Sequence, residues 1–191
     1  MNYKELFQRL AMLIVAPKKA WVEIVTESPR RDVMGTFVYP LVALCGIVVL
    51  LATFLREGLA RNVYQPALME MCSYCFALFG GFFLAAYLVD MVRQKLLMQS
   101  ANMPAAQLFA GYAIGVVFVA DVIVILLPQL FIIKWAALLA YTLKVVWEGS
   151  DVVFAVDDER RLTFTALVSV AIVISPALIR MLFNTLSNML G

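Results

Sequence analysis

One acidic residue, Asp121, lies well inside an apolar run of the sequence, where a charge is costly. The run extends from Ala105 to Leu127 and holds no other charged residue. A carboxylate at that depth in a membrane must be paired or protonated, so Asp121 is a candidate for ion or proton chemistry. Lys134 opens the next apolar run and enters it from the same face. Two interpretations stay open: a functional site, and a structural ion pair or interhelical hydrogen bond.

A polar stripe continues along the helix that Lys134 begins. Four polar residues fall within an arc of roughly 80° when a helix turns by about 100° per residue: Lys134, Tyr141, Lys144 and Glu148. Such a stripe faces the bundle or water, because lipid does not solvate it. Lys144 and Glu148 are also four residues apart, where an ion pair can neutralise both charges.

The same helix is predicted to leave the membrane near Trp147, a residue type that favours the membrane–water interface. Gly149 and Ser150 come next and are predicted to break the helix. The acidic residues 157–159 stand beside two arginines and are typical of a solvated loop. A helix exit therefore explains most of this charge without a catalytic site.

Catalytic and metal chemistry lack their usual residues in this sequence. The chain contains no histidine, which removes the commonest general base and the commonest transition-metal ligand. Its three cysteines lie in apolar runs and, without histidine, do not complete a metal site. We therefore expect no enzymatic activity, no catalytic residue, no metal and no cofactor.

Composition places the chain in a membrane. Hydrophobic residues make up 64% and charged residues 15% of the 191 positions, and the mean hydropathy is +0.92. Soluble domains carry about 45–50% apolar and about 25% charged residues. A core this small cannot hide so much apolar surface, so the lipid bilayer must cover it. The net charge of +2, without a basic tail, argues against nucleic acid as a partner.

Five apolar runs are each about long enough to cross a bilayer as a helix. The predicted spans are residues 35–55, 71–89, 105–127, 130–147 and 162–183. Continuous rather than alternating runs predict helices, which satisfy their own backbone groups in lipid. The predicted fold class is therefore all-α, a polytopic five-helix transmembrane bundle. Pro40 and Pro176 fall inside spans and are predicted to kink them.

The distribution of Lys and Arg predicts the orientation of these spans. With five spans, the two termini lie on opposite sides of the membrane. Of the 15 Lys and Arg residues, only Arg56, Arg61, Lys134 and Arg180 fall on the side of the C-terminus. Since positive loops stay inside, the N-terminus is predicted to be cytoplasmic and the C-terminus to lie on the opposite side. The compact chain suggests a bacterial inner membrane.

Residues 1–34 are predicted to form amphipathic helices at the interface, and residues 35–191 the transmembrane domain. Apolar side chains recur at helical spacing in the first helix: Tyr3, Leu6, Phe7, Leu10 and Ile14. Pro17 suits the first turn of a second short helix. The segment either anchors and covers the cytoplasmic end of the bundle or senses and bends the bilayer, and anchoring is the commoner role of such helices.

Two pairs of glycines in the spans predict close helix contacts. Gly111 and Gly115 lie on one face of the third span, and Gly80 and Gly81 are adjacent in the second. Small residues let helix backbones approach one another, within one chain or between chains. This spacing does not specify an oligomer, so a homo-oligomer and a membrane-protein partner both stay open.

Three stretches of the chain follow one another in a recognisable order. In LFQRLAMLIVAPKKAWVEIV, Trp21 stands four residues after Pro17, and FAGYAIGVVFVADVIVILLP begins with a cluster of small and aromatic residues. In YTLKVVWEGSDVVFAVDDERRLTFTALVSVAIVISPALI, Tyr141 precedes an aromatic–any–glycine step, Trp147 to Gly149. These stretches resemble the entry segment, the third span and the fourth-to-fifth unit of the Yip (Ypt-interacting-protein) family of small five-span membrane proteins, in particular its bacterial members.

The resemblance implies only a general role. Eukaryotic members of the family work in vesicle traffic, bind small GTPases and one another, and expose a sizeable cytoplasmic N-terminal region. The short segment 1–34 argues against GTPase binding here. The bacterial members have no settled activity, so no catalytic residues can be carried over.

Two functions follow as hypotheses. The first is a non-enzymatic scaffold or membrane organiser that acts through helix contacts with itself or with partner proteins. The alternative is a small transporter or channel subunit that uses the polar path of Asp121 and the stripe on the fourth span. The scaffold predicts stable association, whereas the transporter predicts a flux that depends on Asp121.

Overall fold

The computed structural model describes residues 3–27, 32–58 and 61–190, without the side chains of residues 61, 128, 131–137, 187, 188 and 190. In these residues it consists of helices joined by short turns. The helices in chain order are α1 (Tyr3–Val15), α2 (Pro17–Glu27), α3 (Tyr39–Glu57), α4 (Tyr64–Leu97), α5 (Met103–Leu126), α6 (Phe131–Phe154) and α7 (Asp158–Leu190). A π-helical turn leads into α3, and short 3-10 turns precede α4 and α6: Met34–Val38, Arg61–Val63 and Pro128–Leu130. The predicted all-α membrane bundle is confirmed.

Four helical segments in the described part of the chain are long and apolar enough to cross a membrane: Met34–Glu57, Tyr64–Leu97, Met103–Leu126 and Asp158–Leu186. They correspond to the first, second, third and fifth predicted spans. The fourth predicted span, residues 130–147, falls on α6, and the side chains of residues 131–137 lie outside the described residues. The count of five spans therefore stays a prediction.

Helix α5 forms the centre of the bundle. Every residue from 109 to 118 is buried, because α5 contacts α1, α3, α4, α6 and α7. Phe109 and Phe118 have at most 1% of their surface exposed. A helix that is apolar on all sides is expected to lie inside such an assembly.

The most extensive helix contact joins α4 to α7. A Cβ atom at Gly81 would lie only 2.6 Å from Cα of Pro176, so glycine is what lets the two backbones approach. Pro176 lies inside α7. Pro40 lies where the π-helical turn passes into α3, at a place where the regular hydrogen-bond pattern already changes.

Helices α1 and α2 pack together against the bundle, and we call this pair the cap. It contacts α5 through α1 and α6 through α2. Its buried hydrophobic residues include Leu6, Leu10, Leu13, Trp21 and Ile24. Tyr3 and Phe7 are instead 51% and 52% exposed. Helix α1 therefore carries two apolar stripes instead of the single predicted face. One stripe packs on the bundle, and the other faces outward.

The predicted helix break at Gly149 and Ser150 is wrong. Helix α6 continues through both residues to Phe154, and both are buried. The chain turns at Ala155, whose φ of 49° ends the helix in the left-handed region. The acidic residues Asp158 and Glu159 then lie exposed in the first turn of α7, where the helix dipole favours negative charge.

Candidate functional site

Trp21 holds the cap against one end of the bundle. Its indole stacks on the ring of Phe109 in α5, with ring centroids 4.9 Å apart and 13° between the planes. Its Nε1–H donates a hydrogen bond of 2.9 Å to the carbonyl oxygen of Val145 in α6. A Cβ atom at Gly149 would lie 2.5 Å from Cε2 of the indole. Trp21 and Gly149, two of the residues that carry the family resemblance, therefore form one contact between α2 and α6.

Arg9 adds a polar contact between the two cap helices and α5. It forms ion pairs with Glu27 of α2 and, at 3.1 Å, with Glu5 of its own helix. Its guanidinium also donates a hydrogen bond of 3.5 Å to the hydroxyl of Tyr112. Burial acts to lower the pKa of Arg9, but its hydrogen bond to Glu27 and its interactions with Tyr112 raise that pKa above its usual value. The side chain therefore stays charged and fastens α1 to α2 and α5.

A buried ion pair at the same end fixes the turn between α4 and α5. Asp90 and Arg93 are 3.0 Å apart, and each side chain is only 6% exposed. Asp90 also accepts hydrogen bonds from the side chain of Gln94, at 2.7 Å, and from the backbone N–H of Asn102, at 3.0 Å. Arg93 donates to the carbonyl oxygen of Ser100 at 2.6 Å. Charge-assisted hydrogen bonds of this kind are roughly twice as strong as neutral ones.

The start of α7 brings two more arginines to this end. Arg161 donates a hydrogen bond of 2.9 Å to the carbonyl oxygen of Trp147, and its guanidinium carbon lies 4.5 Å from the centroid of that indole. Arg160 donates to the carbonyl oxygen of Leu96 at 2.7 Å. We call this region the capped end of the bundle, and its principal residues are Trp21, Asp90, Arg93, Phe109 and Gly149.

The opposite end of the bundle contains Asp121. The Tyr74 side chain of α4 and the Asp121 side chain of α5 line the same cavity. The guanidinium carbon of Arg180, on α7, lies 5.2 Å from the centroid of the Tyr74 ring. Tyr74 is buried, Asp121 half-buried and Arg180 exposed. These three residues define the open end, and they line a cavity of about 210 Å³ whose other lining residues are apolar.

The other predicted polar residues do not join Asp121 in this cavity. The Lys134 side chain lies outside the described residues, so its pairing with Asp121 stays a prediction. Tyr141 and Glu148 are half-buried along α6, and Lys144 is exposed. The cavity lining that the structure describes includes none of these three α6 residues.

The predicted packing glycines contact helices of their own chain. A Cβ atom at Gly80, Gly111 or Gly115 would come within 2.8–2.9 Å of a side chain of the same chain. A Cβ atom at Gly81 would instead lie 2.6 Å from the backbone Cα of Pro176. All four glycines therefore have an internal packing partner, and they do not require a second copy to explain them.

Sequence reasoning missed Tyr74 and Arg180 beside Asp121, and it missed the Asp90–Arg93 pair. Tyr74 is one of several aromatic residues in an uncharged run, so no local signal distinguishes it. Asp90 and Arg93 do carry a signal, since opposite charges three residues apart share one face of a helix.

Chemically, the open end brings together groups of both charge signs. The Asp121 carboxylate accepts hydrogen bonds, and the Arg180 guanidinium donates them. No group of three or more His, Cys, Asp or Glu residues suited to a metal ion occurs within the described ranges. The open end is therefore a candidate for binding rather than for metal chemistry.

The apolar helices, packed into a bundle whose two ends differ, place this protein in the class of multi-pass α-helical integral membrane proteins. A family model for the Yip1 domain matches residues 11–179, which is most of the chain. The chain therefore belongs to the Yip1 family, and the predicted family membership is confirmed. Comparisons with curated proteins and with solved structures gave no match.

Proposed function

We propose that this Yip1-family protein is a non-enzymatic scaffold or membrane organiser that associates with a second copy or with partner membrane proteins. The observation that carries the proposal is the outer surface of the cap. Trp21, on the inner side of the cap, is fully buried. On the outer side of the cap, Phe7, Val15 and Val22 are 52%, 80% and 52% exposed. An apolar surface that its own chain leaves uncovered is suited to lipid or to another helix.

Charge on the cap supports a position at the membrane interface. Lys4, Lys18 and Lys19 are exposed on the same two helices. Lysines beside exposed apolar residues are typical of a helix that lies among anionic headgroups. This supports a cytoplasmic N-terminus, with the C-terminus on the opposite side of a bacterial inner membrane.

The apolar interior favours a scaffold over a channel. In each of three helices, a fully buried apolar residue lies between the polar residues of the two ends: Phe82 in α4, Phe118 in α5 and Ile172 in α7. Ions are poorly solvated by such side chains. Packed apolar side chains in these three helices therefore lie between the charged groups of the two ends, and the buried polar residues beside them in α7 are the uncharged Thr165, Ser169 and Ser175.

Photo-crosslinking in intact membranes tests the scaffold. A photoreactive residue placed at Phe7 or Val22 is expected to crosslink a second copy or a membrane protein that copurifies after mild extraction. The matched control is a photoreactive residue at Leu13, which is 0% exposed and should give internal products only. Recovery of a lone monomer with the probe at every exposed position would overturn the proposal.

Reporter tags at the two termini test the orientation separately. Tags on the N-terminal and C-terminal ends are expected in different compartments, with the N-terminal tag in the cytoplasm. Both tags in one compartment would overturn the five-span topology without affecting the crosslinking result.

A small transporter is the second candidate, and the cavity at the open end favours it. Tyr74, Asp121 and Arg180 bring polar groups to bilayer depth, where ionisable residues often mark ion pathways. Asp121→Asn is then expected to abolish a flux measured in proteoliposomes. If the wild-type protein moves neither protons nor solutes, this candidate is excluded.

A further inference from the structure

A second cavity lies where helix α1 of the cap meets the π-helical turn before α3. Its volume is about 360 Å³, within the roughly 300–1,000 Å³ of pockets that take small ligands. We propose that this cavity binds a small neutral amide through the guanidinium of Arg9 and the hydroxyl oxygen of Thr36. We call it the Arg9 cavity. The inference is independent of the scaffold and of the open end, so each can fail alone.

The π-helical turn forms one wall of the Arg9 cavity. Gly35, Thr36 and Phe37 line it, and all three belong to the turn Met34–Val38. Turns of this kind are rare and are frequently found at functional sites. Thr36 is exposed, whereas Phe37 is 1% exposed and its ring centroid lies 4.6 Å from that of Tyr112. The cavity therefore has an open side at Thr36 and an aromatic floor.

Arg9 gives the cavity hydrogen-bond donors. A guanidinium has five N–H groups. The two on Nη2 donate to Glu5 and Glu27, and one on Nη1 donates to the hydroxyl of Tyr112 at 3.5 Å. The Nε–H and the second Nη1–H have no partner among the residues that the structure describes. A ligand beside Arg9 therefore needs an oxygen that accepts hydrogen bonds.

Thr36 offers the opposite capacity. Its hydroxyl donates a hydrogen bond of 2.6 Å to the carbonyl oxygen of Asp32, so its single proton is used. A hydroxyl oxygen also has two acceptor lone pairs, which serve an N–H group of a ligand. An amide carries both a carbonyl oxygen and an N–H group, and it therefore complements Arg9 and Thr36 together.

The charges around the cavity select an uncharged ligand. Arg9 forms ion pairs with Glu5 and Glu27, so one positive charge already meets two carboxylates. An anion would add a third negative charge beside them, and a cation would face the guanidinium, and like charges in contact are unfavourable. A neutral amide avoids both contacts. Leu6 and Phe37 supply apolar contacts for the rest of such a ligand.

Binding of two matched probes tests the site. The full-length protein in nanodiscs is titrated with N-acetylphenylalaninamide, which is neutral, and with N-acetylphenylalanine, which carries a carboxylate in place of the terminal amide. Saturation-transfer NMR measures the affinity of each probe. We expect the neutral probe to bind about tenfold more tightly, because the carboxylate meets two like charges. Equal affinities, or tighter binding of the carboxylate, would overturn the proposal.

Two substitutions locate the bound probe. Arg9→Lys keeps the positive charge but loses the planar fork of donors, so it should weaken binding of the neutral probe about tenfold. Thr36→Val removes one neutral hydrogen bond and should weaken that binding about fivefold.

Thr26→Val is the matched control for Thr36→Val. Thr26 is also exposed, and its hydroxyl likewise donates to a carbonyl oxygen four residues earlier, that of Val22. It lies outside the cavity lining that the structure describes. Thr26→Val should therefore leave the affinity unchanged. Equal effects of the two threonine substitutions would show that the probe binds elsewhere.

A capped tripeptide distinguishes a peptide segment from a free small molecule. N-acetyl-Ala-Phe-Ala-amide carries the same neutral groups within a longer backbone. If it binds more tightly than N-acetylphenylalaninamide and is weakened by Thr36→Val, the ligand is a peptide segment. If it binds no more tightly, the cavity takes the small amide alone.

Discussion

Asp90 at the capped end and Asp121 at the open end are the same residue type in two different environments. Asp90 is 4% exposed, and it accepts hydrogen bonds from Arg93, Gln94 and the backbone of Asn102. Asp121 is half-buried beside a cavity and shares it with Tyr74 and the exposed Arg180.

The difference indicates what each end does. A buried network in which the charges are paired fixes the chain, and it leaves little for a ligand to bind. A partly exposed set of opposite charges beside a cavity contributes less to stability. We therefore assign stability to the packed contacts of the capped end and binding to the cavities, and each prediction below tests this division.

The largest effect is expected at the centre of the capped end. Trp21→Ala removes the stacking on Phe109 and the hydrogen bond to Val145, and it leaves a cavity under the cap. Replacing a buried aromatic side chain by alanine costs about 3–5 kcal/mol. Thermal unfolding in a mild detergent should show a large loss of stability for Trp21→Ala. Val22→Ala, at the exposed neighbouring residue, should change the stability little. Equal effects of the two substitutions would contradict the docking of the cap.

The next effect is expected at the buried ion pair. Asp90→Asn leaves the Arg93 guanidinium buried without its counter-charge, and breaking a buried pair costs about 3 kcal/mol or more. Unfolding in detergent should report this loss. Arg180→Gln is the comparison from the open end and should cost far less, because Arg180 is exposed. If Asp90→Asn unfolds like the wild type, Asp90 does not stabilise the capped end.

A smaller effect is expected where α4 meets α7. Gly81→Ala places a methyl group against the backbone of Pro176, which cannot move aside without shifting a helix, and such overpacking costs about 1–3 kcal/mol. Gly80→Ala meets Cγ2 of Ile179 instead, at 2.8 Å, and that side chain can rotate. The unfolding temperature should therefore fall more for Gly81→Ala than for its neighbour. The reverse order would mean that α4 and α7 approach differently.

Local patterns were sufficient to predict the helices, because apolar runs of about 20 residues are visible in the sequence itself. They did not predict that α6 continues through Gly149, because the reason for that glycine is Trp21 on a helix far away in the chain. Trp21 and Gly149 both lie in the stretches that resemble the Yip family, but the sequence did not indicate that they are in contact.

The polar contacts at the two ends were predictable to different degrees. Asp121 stood out because a lone charge in an apolar run is conspicuous. Tyr74 did not, because its contact depends on how α4 is rotated against α5, and an uncharged run such as 71–89 marks no face. Which side chains meet between two helices depends on how the helices pack. A single sequence indicates this packing only where a charged residue or a glycine marks the contact face.

The smallest change in stability is expected for Asp121→Asn, the same substitution as at Asp90 but at the open end. The asparagine side chain has nearly the same size and shape as the aspartate, so it can occupy the same place beside Tyr74. We expect a loss below about 1 kcal/mol in unfolding experiments, because the Asp121 side chain is only half-buried. The two aspartates thus form a matched pair, in which Asp90→Asn should lower stability and Asp121→Asn should leave it nearly unchanged. A loss at Asp121 as large as that at Asp90 would show that the open end is a second structural network, and the division between stability and binding would then fail.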